Sequence, residues 1–218
     1  MCRICTIIIL VIVLLPGLAL GQLKWVDHPD NPAFTIDGLQ IWDCFVLEVN
    51  DTLKMWYSAA SLGILYAWSS DDGVTWIDYP SNPVLPTGPP GSWEENWLDM
   101  PRVIFDGTSY SMWYLGEDNA GYAKGGLATS PNGIDWTKHT GNPVLTPSGL
   151  GTCDSGESAI GGIINDGSQY VALYMGGIDN GTSVSWKTGR ATSLNGIDWV
   201  KNPPEPVMSR DGAALVAT

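Results

Sequence analysis

Three acids stand where chemistry could begin: Asp43 in Trp42-Asp43-Cys44, Asp99 in Leu98-Asp99-Met100-Pro101, and Glu157 in Glu157-Ser158-Ala159. Carboxylates from distant segments become a catalytic set only if the fold gathers them. One then holds a proton near neutrality because a neighbouring negative charge raises its pKa, while another stays ionised as a base or nucleophile. Flat aromatic faces lie close by in sequence at Trp42, Trp93 and Trp97, and a cation at Arg102. Rival acids occur at Glu94 and Asp154, in Trp93-Glu94 and Cys153-Asp154. They align with each other ahead of two strands, and an acid repeated at one place more often serves a turn than a reaction.

Other chemistry is poorly supported. His28, His139, Cys44 and Cys153 have no ligand-like spacing for zinc. Asp179-Asn180-Gly181 offers too few oxygens for the 6–8 that calcium takes. No metal and no organic cofactor is therefore expected. Cys44 and Cys153 could bridge only if their segments face each other, which sequence does not decide. Asn50-Asp51-Thr52 and Asn180-Gly181-Thr182 are glycosylation sequons by pattern.

The elements that would position these residues are written in a repeat. Ser70-x-Asp72-Gly73-x-x-Trp76 returns as Ser130-x-Asn132-Gly133-x-x-Trp136 and Ser193-x-Asn195-Gly196-x-x-Trp199, with 60 and 63 residues between tryptophans. In phase run Met55-Trp56-Tyr57, Met112-Trp113-Tyr114 and Leu173-Tyr174. A fixed period means one supersecondary unit stacked several times. Within the second unit, residues 99–105 form a short apolar run closed by Asp106-Gly107, a hairpin signal. Tyr110 to Leu115 alternates as a half-buried strand does, Tyr122 to Ser130 is a third run, and Ile134 to Lys138 a fourth. No segment carries a helical period. Four antiparallel strands repeated radially make a β-propeller, the expected all-β fold. A solenoid or sandwich ranks lower, since solenoid coils are shorter and sandwiches do not repeat internally. The blades should span about 25–85, 86–145 and 146–208, with the start of a fourth at 209–218. Trp76, Trp136 and Trp199 should pack between blades.

Residues 1–21 read as a secretory signal: Arg3, an apolar run from Ile4 to Leu15 too short to span a bilayer, Pro16-Gly17, then small residues before Gln22. The alternative is an uncleaved anchor. Export to the cell exterior or periplasm, and no membrane partner after cleavage, are the expectations. Acidic groups number 23 against 10 basic, a net charge of −13, so a nucleic-acid partner is disfavoured. Oligomeric state is left open.

The phrases YAWSSDDGVTWIDYPSNPVL (66–85), GLATSPNGIDWTKHTGNPVL (126–145) and GRATSLNGIDWVKNPPEPVM (189–208) resemble blades of the five-bladed propeller glycoside hydrolases of families 43 and 32. That resemblance implies a C-terminally truncated member. It also implies three acids in the order Asp, Asp, Glu, one from the innermost strand of each of the first three blades. Asp43 would then be the base or nucleophile, Asp99 the tuning or orienting carboxylate, and Glu157 the acid. From their residue types, Trp42, Trp97, Trp93 and Arg102 are the candidates to bind a carbohydrate substrate; the alternative, stronger for Trp93, is that the tryptophans pack between blades. Carboxylates roughly 5–5.5 Å apart would mark a retaining pair and roughly 6.5–9.5 Å an inverting one. The chain departs from the family phrases: no Asp-Pro follows in the first blade, and Glu157 is followed by Ser-Ala. A non-catalytic propeller that binds carbohydrate or protein is the alternative. Ser69-x-Asp71-x-Gly73-x-Thr75-Trp76 also fits the Asp-box of sialidases, but the other two copies are one residue short.

Overall fold

A computed structural model describes residues 33–59, 62–149, 152, 154–179, 184–202 and 206–207. The expected signal segment, Cys153, the Asn180 sequon and the start of a fourth blade lie outside the described residues.

Three sheets follow one another, each of four antiparallel strands in chain order. The first holds β1 (Ile41–Glu48), β2 (Leu53–Ala59), β3 (Gly63–Ser69) and β4 (Ile77–Asp78), and β5 (Leu85–Pro86) pairs back onto β3. The second holds β6 (Trp97–Phe105), β7 (Tyr110–Glu117), β8 (Ala123–Ser130) and β9 (Thr137–Lys138). The third holds β10 (Glu157–Asn165), β11 (Tyr170–Asp179), β12 (Val184–Ser193) and β13 (Val200–Lys201). A single parallel pairing, Ser158 with Lys124, links the second and third sheets. No helix among the described residues is long and apolar enough to cross a membrane.

The cores lie between the sheets. Trp56, Ile64, Tyr66 and Leu85 of the first meet Val103, Tyr110, Met112 and Tyr114 of the second. Trp113, Leu127 and Leu145 of the second meet Ile160, Ala172 and Tyr174 of the third. The largest burial comes from the second strands, where Trp56 and Trp113 are sealed from solvent. Trp136 and Trp199 pack against them edge-on, at 6.1 and 6.4 Å between ring centres.

One hydrogen-bond device repeats at each seam. The Trp56 indole N–H donates to the Gly133 carbonyl across the seam at 2.8 Å, and Trp113 donates to Gly196 at 2.8 Å. Trp136 and Trp199 donate to the same two carbonyls from within their own turns, at 3.0 and 3.1 Å. Gly133 has a φ of 82°, and a Cβ there would lie 2.9 Å from the Trp56 ring, so the turn requires glycine twice over. In the third sheet, Leu173 fills the position of Trp56 and Trp113 and is 45% exposed.

The turn alignment of the first repeat needs one correction. Ser69 and Asp71, not Ser70 and Asp72, take the bonding roles of Ser130 and Asn132. Ser69 Oγ donates to Asp71 at 2.7 Å and accepts the Gly73 N–H, and Asp71 accepts the Thr75 hydroxyl at 2.6 Å. An extra residue in this turn shifts the register, and these bonds hold the exposed Asp71 carboxyl down at about 2.

Candidate functional site

Each inner strand is interrupted by a bulge. Register shifts occur between Ile41 and Cys44 in β1, between Asp99 and Arg102 in β6, and between Ile160 and Gly162 in β10. A bulge kinks its strand and re-aims the side chains beside it. The first encloses Trp42 and Asp43. The second follows Asp99 and holds Met100 at a φ of 51°, a left-handed conformation that a residue with a side chain adopts at a cost.

These kinks open onto one cleft of about 470 Å³. Its acids are Asp43 from β1, Asp99 and Glu117 from the second sheet, and Glu157 from β10. Its walls are Trp42, Trp97 and Trp186, with Met100, Leu115 and Met175. Five of the seven residues singled out from sequence therefore line a single cavity: Asp43, Asp99, Glu157, Trp42 and Trp97.

Asp99 pairs with Leu115 across the β6–β7 ladder, and Glu157 pairs with Gly177 across β10–β11, level with the Trp97–Glu117 pair. Glu157 thus sits two residues outward from the place equivalent to Asp99. A shift of two keeps a strand residue on the same face. Gly177 leaves room beside it: a Cβ there would fall 3.2 Å from Glu157 Cβ and 3.3 Å from the Trp186 ring.

Burial pushes the Asp43 carboxyl above its ordinary value, the Asp99 charge pushes it the same way, and Arg102 pulls against both. Ser58, buried in β2, joins the two acids. Its hydroxyl donates to Asp99 Oδ1 and lies 3.4 Å from the Asp43 backbone carbonyl oxygen. Glu117 is held by Asn96, whose side-chain N–H donates to it at 3.0 Å.

Two residues singled out from sequence lie elsewhere. Trp93 packs on Tyr114, its ring stacked at 6.1 Å, because Gly116 beneath it has no Cβ to block the approach. Arg102 spends its guanidinium on the scaffold: Nε–H donates to the Gly161 carbonyl at 2.6 Å and an Nη–H to Pro101 at 2.8 Å. It acts on the cleft through its charge on Asp43.

The rival acids are pinned by lysines of the outer strands. Glu94 is buried, pairs with Lys138 at 2.9 Å and accepts the Tyr114 hydroxyl at 2.8 Å. Lys138 also donates to the Pro86 carbonyl at 2.7 Å. Asp154 is paired with Lys201 in the same way, and Lys201 donates to the Thr146 carbonyl. Burial opposes ionisation of Asp154, but Lys201, Thr152 and Ser148 outweigh it and hold the carboxyl below its usual range. Both acids fasten an outer strand to the segment that leads into an inner one.

Sequence reasoning missed Trp186, Glu117 and Ser58. Trp186 stands opposite Gly177 in the next strand, a cross-strand pairing that leaves no signal along the chain. Cys44 is an exposed free thiol. Among the described residues no group of three His, Cys, Asp or Glu is arranged to hold a metal ion.

Solved structures of similar shape are carbohydrate-active propellers. Zg3597, a family 117 glycoside hydrolase from the marine bacterium Zobellia galactanivorans, matches with a TM-score of 0.65 at 15% identity, over 86% of this chain and 61% of that one. The Bombyx mori family 32 β-fructofuranosidase BmSUC1 matches at 0.59 and 14%, over 79% and 36%. A β-1,2-mannobiose phosphorylase from Listeria innocua matches at 0.55 and 17%, over 77% and 45%. The chain spans less than two thirds of each. Neither a protein-family model nor a curated protein sequence matches it. The fold is the β-propeller of these glycoside hydrolases, all-β and built of antiparallel blades.

Proposed function

We propose that the protein is a secreted glycoside hydrolase that cleaves poly- or oligosaccharides by carboxylate acid/base catalysis. One observation carries the reading: inner strands of three successive blades each contribute an acid, Asp43, Asp99 and Glu157, to one cleft walled by tryptophans. Glycosidic cleavage needs a proton donor at the leaving oxygen and an ionised carboxylate on the other side of the ring. Glu157 takes the donor role, and Asp43 acts as base or nucleophile, its basicity raised by partial burial and by Asp99. Asp99, gripped by Ser58, orients and tunes. Export rests on residues 1–21 alone.

The test is a screen of aryl glycosides and polysaccharides. Asp43 must be ionised to act, and its raised pKa means activity falls away as pH drops through a point above the ordinary carboxylate range. Asp99→Asn removes a neighbouring negative charge, so the acid limb should move to lower pH. Half-exposed Trp42 and Trp186 favour one second reading, a propeller that binds sugar without cleaving it. Binding in the cleft with no product from any glycoside would select that reading.

A further inference from the structure

We infer that Glu117 is the specificity-determining residue of the cleft, where its carboxylate accepts a hydroxyl of the bound sugar beside the Trp97 indole. The inference rests on the proposal that the cleft is a sugar site.

Position is the first argument. Glu117 closes β7 and lines the cleft together with Leu115, two residues earlier on the same face of the strand. Gly116, between them, faces the other way and admits Trp93. Across the ladder Glu117 is paired with Trp97, which also lines the cleft, so the carboxylate and the indole stand side by side. Trp97 in turn braces Trp42 edge-on, at 5.5 Å and 71°, and Trp42 is 50% exposed. An indole offers apolar area to the C–H face of a sugar ring, and a carboxylate next to it takes a hydroxyl projecting from that ring.

Attachment is the second argument. Asn96, the residue before β6, holds Glu117 at two points. Its backbone N–H donates to the Glu117 backbone carbonyl at 3.0 Å, and its side-chain N–H donates to Oε1 at 3.0 Å. The carboxyl is thereby fixed before any ligand arrives. A carboxylate has about four acceptor sites, so the Asn96 bond leaves capacity for hydroxyl donors. A fixed acceptor discriminates sharply, because a ring whose hydroxyl points elsewhere leaves it unpaired.

Third, the repeated build of the blade does not call for this acid. Ala60 and Gly177 stand four residues after Trp56 and Leu173, as Glu117 stands four after Trp113. Glu94 and Asp154, by contrast, recur at one place in successive blades, and each is spent on a lysine.

Binding is measured by calorimetry in wild type and in Glu157→Gln, which blocks turnover, each with and without a change at position 117. The probes are hexasaccharides of xylan, arabinan, mannan, agarose, chitosan, polygalacturonate and alginate. Glu117→Gln should weaken the tightest probe about 10–100-fold and every looser probe by a smaller factor, with the melting temperature unchanged. Glu117→Asp, which keeps the acid and withdraws it by one methylene, should show a loss of the same selective kind. Asn96→Ala should weaken the tightest probe too, and adding it to Glu117→Gln should cost little more, since it acts through the carboxyl. On aryl glycosides the loss of kcat/KM in Glu117→Gln should be the same for strongly and weakly acidic phenols. Unaltered affinity in Glu117→Gln and Glu117→Asp, an equal loss for every probe, a loss that grows as the phenol becomes less acidic, or no probe bound would each overturn the inference. Binding without hydrolysis would remove the hydrolase reading and leave this one standing; hydrolysis with sugar preference unaltered in Glu117→Gln would do the reverse.

Discussion

Glu157→Gln is expected to lose about 10²–10⁴-fold in kcat on sugar–sugar linkages, because the amide keeps the shape of the carboxyl but has no proton to give. The loss should depend on the leaving group. A sugar alkoxide leaves only if protonated, whereas an acidic phenol departs unaided. Aryl glycosides with strongly acidic phenols should therefore lose far less, provided their sugar fits the cleft. Sugar binding should survive, since the amide keeps the size and shape of the carboxyl. A uniform loss across leaving groups would assign Glu157 to positioning and not to proton transfer. Rates for one sugar on a series of phenols, with one natural oligosaccharide, decide between them.

Trp113→Ala should cost about 3–5 kcal/mol, a large fraction of an ordinary domain's stability. The indole is 1% exposed, at the centre of the seam between the second and third blades. The cost comes mainly from the cavity. The Gly196 carbonyl still accepts from Trp199 at 3.1 Å when Trp113 is gone, so no buried acceptor is orphaned. Trp113→Phe should consequently cost much less. Leu173, the same position in the third blade, is 45% exposed, and Leu173→Ala should change stability by about 1 kcal/mol or less. Urea and thermal melts of the three variants check the ranking.

These two predictions separate what sequence could and could not convey. The blade was legible because its strands are short and closed by turns, because each second strand carries aromatic residues, and because the whole unit returns at 60 and 63 residues. Asp43 and Asp99 were legible through position, since both stand at the kinked start of an inner strand. Glu157 was found two residues from its expected place and still reaches the cleft, because strands alternate with a period of two. Trp186 was not legible. It lies on a third strand, and its route into the cleft depends on Gly177, a neighbour across the sheet and not along the chain. Ser58 was hidden for the same reason: a serine inside an aromatic strand looks like spacing until the Asp99 carboxylate is seen against it. Packing between blades was already the stronger reading for Trp93 than for Trp97, and the gap over Gly116 is what admits its ring there.

The central proposal is that the gathered acids cleave sugar. The direct measurement is hydrolysis across the panel of aryl glycosides and polysaccharides by wild type and by the Asp43→Asn, Glu157→Gln double variant, both verified as folded. The wild type is predicted to release product from at least one glycoside and the double variant from none. A wild type inert toward every glycoside, or a double variant as active as wild type, would contradict it.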